Sequence, residues 1–274
     1  MMHELDLAGL SMGELAAAYN VVYTDYIIPF AMSEVAVRQH VAAHAIALDH
    51  SLLWRDDAGE IVGLGALGVR EERGWVGGFG LTSGWRGRGL SGALIAALLD
   101  RARGAGLRRV QLEAITTNER AIRTYERAGF RRTRELLILG SEGSAVSESS
   151  AVVHEVSPAA LLAGVSGLAL PSFAWQREAT SLLALPDLQS LVLGAPASPR
   201  AFVAFSASAA VVQIQAVVGN SDAALVTLTG ALASRLPGRA LRLINESEES
   251  PVPAALLAAG WRKLLRPYEM VCTL

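Results

Sequence analysis

The run "WRGRGLSGALIAALLDRARGAG", Trp85 to Gly106, sets two arginines and three glycines directly before an apolar stretch that continues for about three helical turns. A helix start ordinarily takes Ser, Thr, Asp or Asn as its cap and acidic residues in its first turn, because the free N–H groups there carry partial positive charge. Arg86 and Arg88 run against that preference. An anion seated at the helix mouth removes the conflict: the N–H groups and the dipole favour it, glycines let the backbone come close, and the arginines add charge. The stretch therefore predicts a phosphate or pyrophosphate ligand.

The chain has 274 residues, a comfortable length for two domains of ordinary size. With 24 basic and 26 acidic residues the formal net charge is −2, so neither nucleic acid nor a membrane surface is an expected partner. The single cysteine, Cys272, excludes an intrachain disulfide and a cysteine-built metal site, which fits a reducing cytoplasm. The start, "MMHELDLAGL", lacks the basic and apolar regions of a signal peptide. The apolar run at 201–218, "AFVAFSASAAVVQIQAVV", is broken by Ser and Gln and rich in β-branched residues, and reads as two strands rather than a membrane span. A soluble cytoplasmic protein is the expectation.

One stretch divides the chain. "GSEGSAVSESS", at 140–150, has linker composition, which predicts a first domain over 1–140, a linker at 141–150 and a second domain over 151–274. A shift of 131 residues then aligns the halves without gaps over the stretch from Ala93 to Arg131. Ala93-Leu94-Ile95 falls on Ala224-Leu225-Val226, Val110 and Leu112 on Leu241 and Leu243, and Ala128-Gly129-Phe130-Arg131 on Ala259-Gly260-Trp261-Arg262. Core positions match and charged ones mostly do not, the pattern of an internal duplication.

In the first half, helical spacing covers Ser11 to Tyr26 and Ser33 to Ala47, and strands are expected at Ser51–Trp54, Ile61–Val69 and Trp75–Leu81, with a hairpin turn at Asp57-Ala58-Gly59. A helix from Leu90 ends at Gly104 or Gly106; Val110–Ile115 is a strand, Asn118–Ala128 a helix and Phe130–Leu139 a closing strand. Hairpins feeding a later βαβ unit imply an α/β (α+β) fold with a mixed, mostly antiparallel sheet flanked by helices.

Two ligands fit "RGRGLSG". Gly87, Gly89 and Gly92 satisfy G-x-G-x-x-G, and Glu113 lies on the next strand, where a dinucleotide-binding fold places its ribose acid. In that fold, however, the first glycine closes the strand directly, whereas Thr82 to Arg86 intervene here. The downstream run "NERAIRTYERAGF", Asn118 to Phe130, puts Asn118, Ala121 and Tyr125 on one helical stripe, polar at both ends with a small residue between, a face able to lie along a thin, extended ligand.

Together, "RGRGLSGAL" and "NERAIRTYERAGF" resemble the GNAT superfamily of acyl-CoA-dependent N-acyltransferases, whose signature is R/Q-x-x-G-x-G/A, then a strand, then N-x-x-A-x-x-x-Y-x-x-x-G-F. Arg86 and Gly89 match the first motif, with Ser91 in place of its final Gly or Ala, and every named residue of the second motif is present. A Ser hydroxyl can itself donate to phosphate. The resemblance is close over roughly 61–139 and extends to the second half only as a scaffold. It implies two tandem GNAT-like domains and acetyl-CoA as acyl donor, with no metal. The pyrophosphate would sit on Arg86, Gly87, Arg88, Gly89, Leu90, Ser91 and Gly92, and the pantetheine arm along the backbone of Gly80, Leu81 and Thr82, flanked by Asn118 and Ala121.

The chemistry implied is attack of an amine on a thioester. An alkyl ammonium of pKa near 10.4 is neutral in only about one molecule in 2,500 at pH 7, so proton removal is part of the barrier. The departing thiolate needs a proton in turn, and Tyr125 suits that role because a phenol stays protonated at neutral pH; the alternative is a half-buried tyrosine packing on the sheet. The strand "WVGGFGL", where many relatives carry a glutamate, has none. Glu113 is the nearest candidate base, with a structural carboxylate as the other reading.

The acceptor is expected as a small-molecule or peptide amine. Tyr19, Tyr23 and Tyr26 cluster before Pro29 and Phe30, in the region from which relatives build the acceptor wall, and Asp25 can attract a cationic amine; Tyr23, Asp25 and Tyr26 are the candidate contacts. The same spacing also describes a plain core-facing helix. His40 and His44 stand at i, i+4, but Val41 lies where a zinc protease needs Glu, so a solvated helix face is expected there. Under the 131-residue shift Glu113 becomes Ile244, Asn118 Glu249 and Tyr125 Leu256, so the second half reads as a degenerate, non-catalytic copy that walls the acceptor site, supports a homodimer or stabilises its partner. Beside the acetyltransferase stand two other function classes: a non-catalytic acyl-CoA sensor and an NAD-type oxidoreductase.

Overall fold

The structure, a computed structural model, describes residues 2–28, 30–142, 151–163, 172–207 and 211–274. Most of the linker-like stretch, 143–150, lies outside the described residues. The chain divides into two compact units, one of residues 1–133 with 269–274 and one of residues 134–268.

The first unit runs β1 (His3–Asp6), α1 (Met12–Val22), α2 (Glu34–His44), β2 (Leu52–Arg55), β3 (Ile61–Arg70), β4 (Arg73–Leu81), α3 (Leu90–Gly104), β5 (Arg109–Ile115), α4 (Glu119–Arg127) and the start of β6 (Arg131–Ser141). The first two helices begin as their sequences dictate. Ser11 and Glu14 form a capping box on α1, and Ser33 caps α2 by accepting from the Ala36 N–H at 3.2 Å. Strands β1 to β4 are successively antiparallel, while β5 pairs in parallel with β4 across the α3 crossover. Helix α1 is shorter than its apolar spacing suggests: it ends at Val22, Tyr23 is its cap, and Asp25 takes a left-handed φ of 60° in the turn that follows. Tyr26 therefore reaches its place through a turn and not along the helix.

The second unit repeats the order: β7 (Val153–Glu155), α5 (Pro158–Ala163), α6 (Ala179–Leu183), β8 (Leu188–Ala195), β9 (Ser198–Ser206), β10 (Val211–Gly219), α7 (Asp222–Arg235), β11 (Ala240–Ser247), α8 (Pro251–Ala258), β12 (Arg262–Leu265) and the start of β13 (Pro267–Thr273). Again a run of antiparallel strands is followed by a parallel pair, β10 with β11. The duplication extends to single hydrogen bonds. Phe130 N donates to Tyr125 O at 3.0 Å and Trp261 N to Leu256 O at 3.0 Å, with the preceding Gly129 and Gly260 both at positive φ. A core of residues such as Phe205, Leu228, Leu243 and Trp261 fills one side of the sheet.

The units differ from the sequence-based halves of 1–140 and 151–274. Past Thr133, β6 pairs with β11 (Leu139 opposite Leu243) and with β12 (Gly140 opposite Arg262), which places that stretch in the second unit. The segment 269–274 belongs to the first unit, where Leu274 N donates to Arg108 O beside β5 at 3.0 Å and Thr133 Oγ1 donates to Glu269 O at 3.1 Å. Each unit thus takes its last strand from the other half of the sequence.

Candidate active site

The parallel pairing of β4 with β5 stops at Trp75 opposite Gln111, after which the two strands separate. Gly77 is an extra residue in β4, a bulge against β3, since Leu67 faces Val76 and Ala66 faces Gly78. Two glycines bring α1 down onto this strand: a Cβ at Gly78 would lie 2.5 Å from Tyr19, and one at Gly80 would lie 2.7 Å from Val22. The separated strands, the end of α1 and the face of α4 enclose a cavity of about 320 Å³.

Residues from all three sequence-based groups line this cavity. From the expected cofactor site come Leu81, Arg86, Gly87, Ser91, Asn118 and Ala121; from the expected chemistry, Glu113 and Tyr125; from the expected acceptor wall, Tyr23, Asp25 and Tyr26. Arg88, Gly89, Leu90 and Gly92 stand outside it at the start of α3, and Thr82 is turned away, its hydroxyl donating to Ile61 O at 3.0 Å and its N–H to Val62 O at 3.0 Å. Val76, Phe79 and Thr124 also line the cavity. Thr124 could have been read by extending the Asn118–Ala121 stripe three residues further.

At the mouth, α3 starts without a side-chain cap. Gly89 is the N-cap at φ 79°, Gly87 lies at φ 78°, and no acidic residue occupies the first turn. A Cβ built on Gly87, Gly89 or Gly92 would meet nothing within 4 Å, so the positive φ at the first two, and not crowding by the protein, calls for glycine there. The two arginines are engaged. Arg88 lies over the Trp85 ring at 4.8 Å. Arg86 donates from Nε to Leu81 O and from Nη2 to Val22 O and Thr24 O, each at 2.9 Å.

Inside the cavity, Tyr125 is buried between Phe79 and Phe130, and that burial raises its hydroxyl above the ordinary value, with Tyr23 and Tyr26 adding to the shift. Tyr23 accepts a hydrogen bond from Phe79 N at 3.0 Å, and burial pushes its hydroxyl up to about 12. The Tyr26 hydroxyl bonds the side chain of Asn118, which also caps α4 by accepting from Ala121 N at 3.3 Å. Glu113 accepts from Trp75 Nε1 at 2.8 Å. No local pattern announces that bond, because its partners are 38 residues apart on neighbouring strands.

His40 and His44 correct the expectation of a solvated face. Both are half-buried, His40 bonding the bulge carbonyl of Gly77 at 2.9 Å and His44 packing edge-on to Trp75. Burial lowers their pKa values to about 4 and about 3. Among the described residues, no group of three or more His, Cys, Asp or Glu side chains is placed to hold a metal ion, and no helix is long and apolar enough to cross a membrane.

In the second unit the corresponding strands also part after their parallel pairing, at Ile214 opposite Leu243, with a bulge at Gln215. There the gap is filled. Arg177, 1% exposed, donates from Nε to Gln215 O at 2.7 Å and from Nη1 to Asn245 O at 3.2 Å, and pairs with the equally buried Glu246 at 2.6 Å.

With this geometry in place, the comparisons with known proteins can be read. The acetyltransferase (GNAT) family model matches residues 15–130. Residues 15–130 belong to the GNAT family. The GNAT match spans α1 from Leu15 onward, the open α3 mouth, both strands of the wedge and the whole α4 stripe. Beyond it, the fold of the full chain is that of two GNAT-like units in tandem. A GCN5-related N-acetyltransferase from Sphaerobacter thermophilus superposes with a TM-score of 0.72 at 16% identity, over 99% of this chain and 95% of that one. A tandem GNAT protein from the clavulanic acid biosynthesis pathway gives 0.71 at 16% identity, over 100% and 98%. A GCN5-related N-acetyltransferase from Anabaena variabilis gives 0.64 at 14%, over 99% and 72%. No curated protein matches the chain by sequence.

Proposed function

We propose that the first unit is an N-acetyltransferase that moves the acetyl group of acetyl-CoA to a primary amine of a small-molecule or peptide acceptor by direct attack. The observation that carries this reading is the wedge between β4 and β5, which brings an uncapped helix mouth, Glu113 and Tyr125 to one cavity. The fit is physical. The open space over Gly87, Gly89 and Gly92 admits a pyrophosphate to the free N–H groups of α3, and the gap between the separated strands β4 and β5 has room for a pseudo-peptide arm.

An acyl-CoA bound there supplies an activated acyl thioester. Glu113 takes the proton that the incoming ammonium must lose, directly or through water, and Trp75 holds that carboxylate from behind. As the C–N bond forms and the C–S bond breaks, Tyr125 gives its proton to the departing sulfur and the nitrogen releases its second proton to water; the raised pKa of Tyr125 keeps it in the donor form throughout the neutral range. The products are an amide and a free thiol, and both side chains then exchange protons with water to return to their starting states. Tyr23, Asp25 and Tyr26 form the acceptor wall, and the second unit, its gap filled by Arg177, takes no part in the chemistry.

Calorimetry with acetyl-CoA is expected to give one site per chain, and an amine panel read by thiol release is expected to show turnover. Two equivalent sites per chain would overturn the one-site assignment. Tight binding with no amine consumed would make the protein an acyl-CoA sensor.

A further inference from the structure

The three bonds of Arg86 run to chain segments far from it in sequence. Leu81 ends β4, Val22 ends α1, and Thr24 leads into the turn that carries Asp25 and Tyr26 to the cavity. A helix leaves its last carbonyls without intrahelical partners, and at the end of α1 the guanidinium supplies one. Three of the five N–H donors of Arg86 are taken up in this way. Asp25, between the clasped Thr24 and Tyr26, holds a left-handed φ of 60°. A non-glycine residue keeps that conformation where its surroundings over-determine it. The same turn is held at two further points, by Tyr23 on Phe79 N and by Tyr26 on Asn118.

We propose that Arg86 is a positioning residue for the acceptor wall: it clasps the end of α1 and the following turn to the end of β4, and so places Tyr23, Asp25 and Tyr26 for the incoming amine. Its charge stays near the mouth of α3, but its fork of donors serves the turn. The kinetic part of this inference rests on the acetyltransferase reading above; the structural part does not.

Arg86→Lys in the full chain separates the two roles, because lysine keeps the charge and loses the planar fork. Acetyl-CoA affinity by calorimetry is expected to stay near wild type. Amide hydrogen exchange over residues 24–28 should quicken about tenfold, as local opening becomes easier. The KM for the amine should rise about tenfold while the KM for acetyl-CoA holds, as expected when only the positioning of one substrate is loosened. Arg86→Gln, which keeps amide donors without charge, should restore part of the protection. Unchanged exchange over 24–28 in the lysine variant overturns the proposal, as does a loss of acetyl-CoA affinity in the glutamine variant with the turn still protected, which would assign Arg86 to the phosphate. Exchange is measured without turnover, so a protein that consumes no amine would fail as an acetyltransferase and still decide the role of Arg86.

Discussion

Helices α3 and α7 hold the same place in two copies of one pattern, and they begin in opposite ways. Helix α7 satisfies its own start: the Ser221 side chain accepts from Ala224 N at 3.3 Å, and Asp222 sits in the first turn. Helix α3 does neither and opens on glycines with positive φ. The neighbouring strand gaps differ in the same sense, with an open cavity in the first unit and a buried arginine in the second. On the acetyltransferase reading proposed above, the second unit is a scaffold that has lost a ligand site without losing its fold. Each group that would have met a ligand acquires a partner from the protein itself, and the apolar framework stays as it was.

The sharpest way to break this comparison is at Tyr125 and Leu256, which stand at one structural position before matched glycine turns. Tyr125→Phe keeps the ring and deletes the proton, and kcat is expected to fall about 100- to 10,000-fold. Acetyl-CoA affinity should stay near normal. Leu256→Ala should leave kcat unchanged and cost about 2–5 kcal/mol of stability, since Leu256 is fully buried. Full activity of the phenylalanine variant, measured by thiol release, would make Tyr125 a packing residue and remove the chemical half of the contrast.

Next in size is Arg177. Arg177→Ala leaves Glu246 buried without its counter-charge and should destabilise the second unit by about 3–5 kcal/mol, read from denaturant unfolding. A variant as stable as wild type would mean that the pair does not hold the gap closed. Acetyl-CoA stoichiometry of the folded variant under native conditions then tests whether the filled gap excludes the cofactor from the second unit.

A smaller asymmetry is expected in acid. His40 and His44 titrate near 6.5 when unfolded and near 4 and 3 when folded. Below about pH 6.5 the unfolded chain therefore binds protons that the folded chain does not. Their contribution is complete above that pH and is lost progressively as the pH falls toward the folded values. Hydrogen exchange resolved by unit should show the first unit loosening between pH 6.5 and 4, and His44→Gln should flatten that slope. The second unit has one histidine among its described residues, exposed His154, and serves as the internal reference for that slope.

Much of this was legible because it is local. The missing cap, the glycines and the Asn118–Tyr125 stripe lie within single elements, and the repeat shows wherever side chains pack inward. What escaped is long-range. The partners of Arg86 lie 62 and 64 residues upstream in addition to Leu81, and nothing in "RGRG" distinguishes an arginine for phosphate from one that clasps a turn. His40 and His44 read as surface residues because polar side chains at i, i+4 usually are, while the bulge carbonyl of Gly77 bonds His40 and the Trp75 ring packs on His44. The stretch "RRTRELLILG" records a strand and is silent on which unit that strand completes.

That last feature sets an order of events in the making of the molecule. Because residues 269–274 finish the first unit beside β5, residues 1–133 wait for a segment synthesised after the whole second unit. Translation passes through the whole second unit before the first unit has its final strand. A nascent chain stalled or cut between Phe130 and Glu269 carries every residue of the cavity and no finished sheet to hold it. Recombination that separated the two halves of the gene would meet the same barrier, so the second unit is retained with its neighbour as a matter of construction.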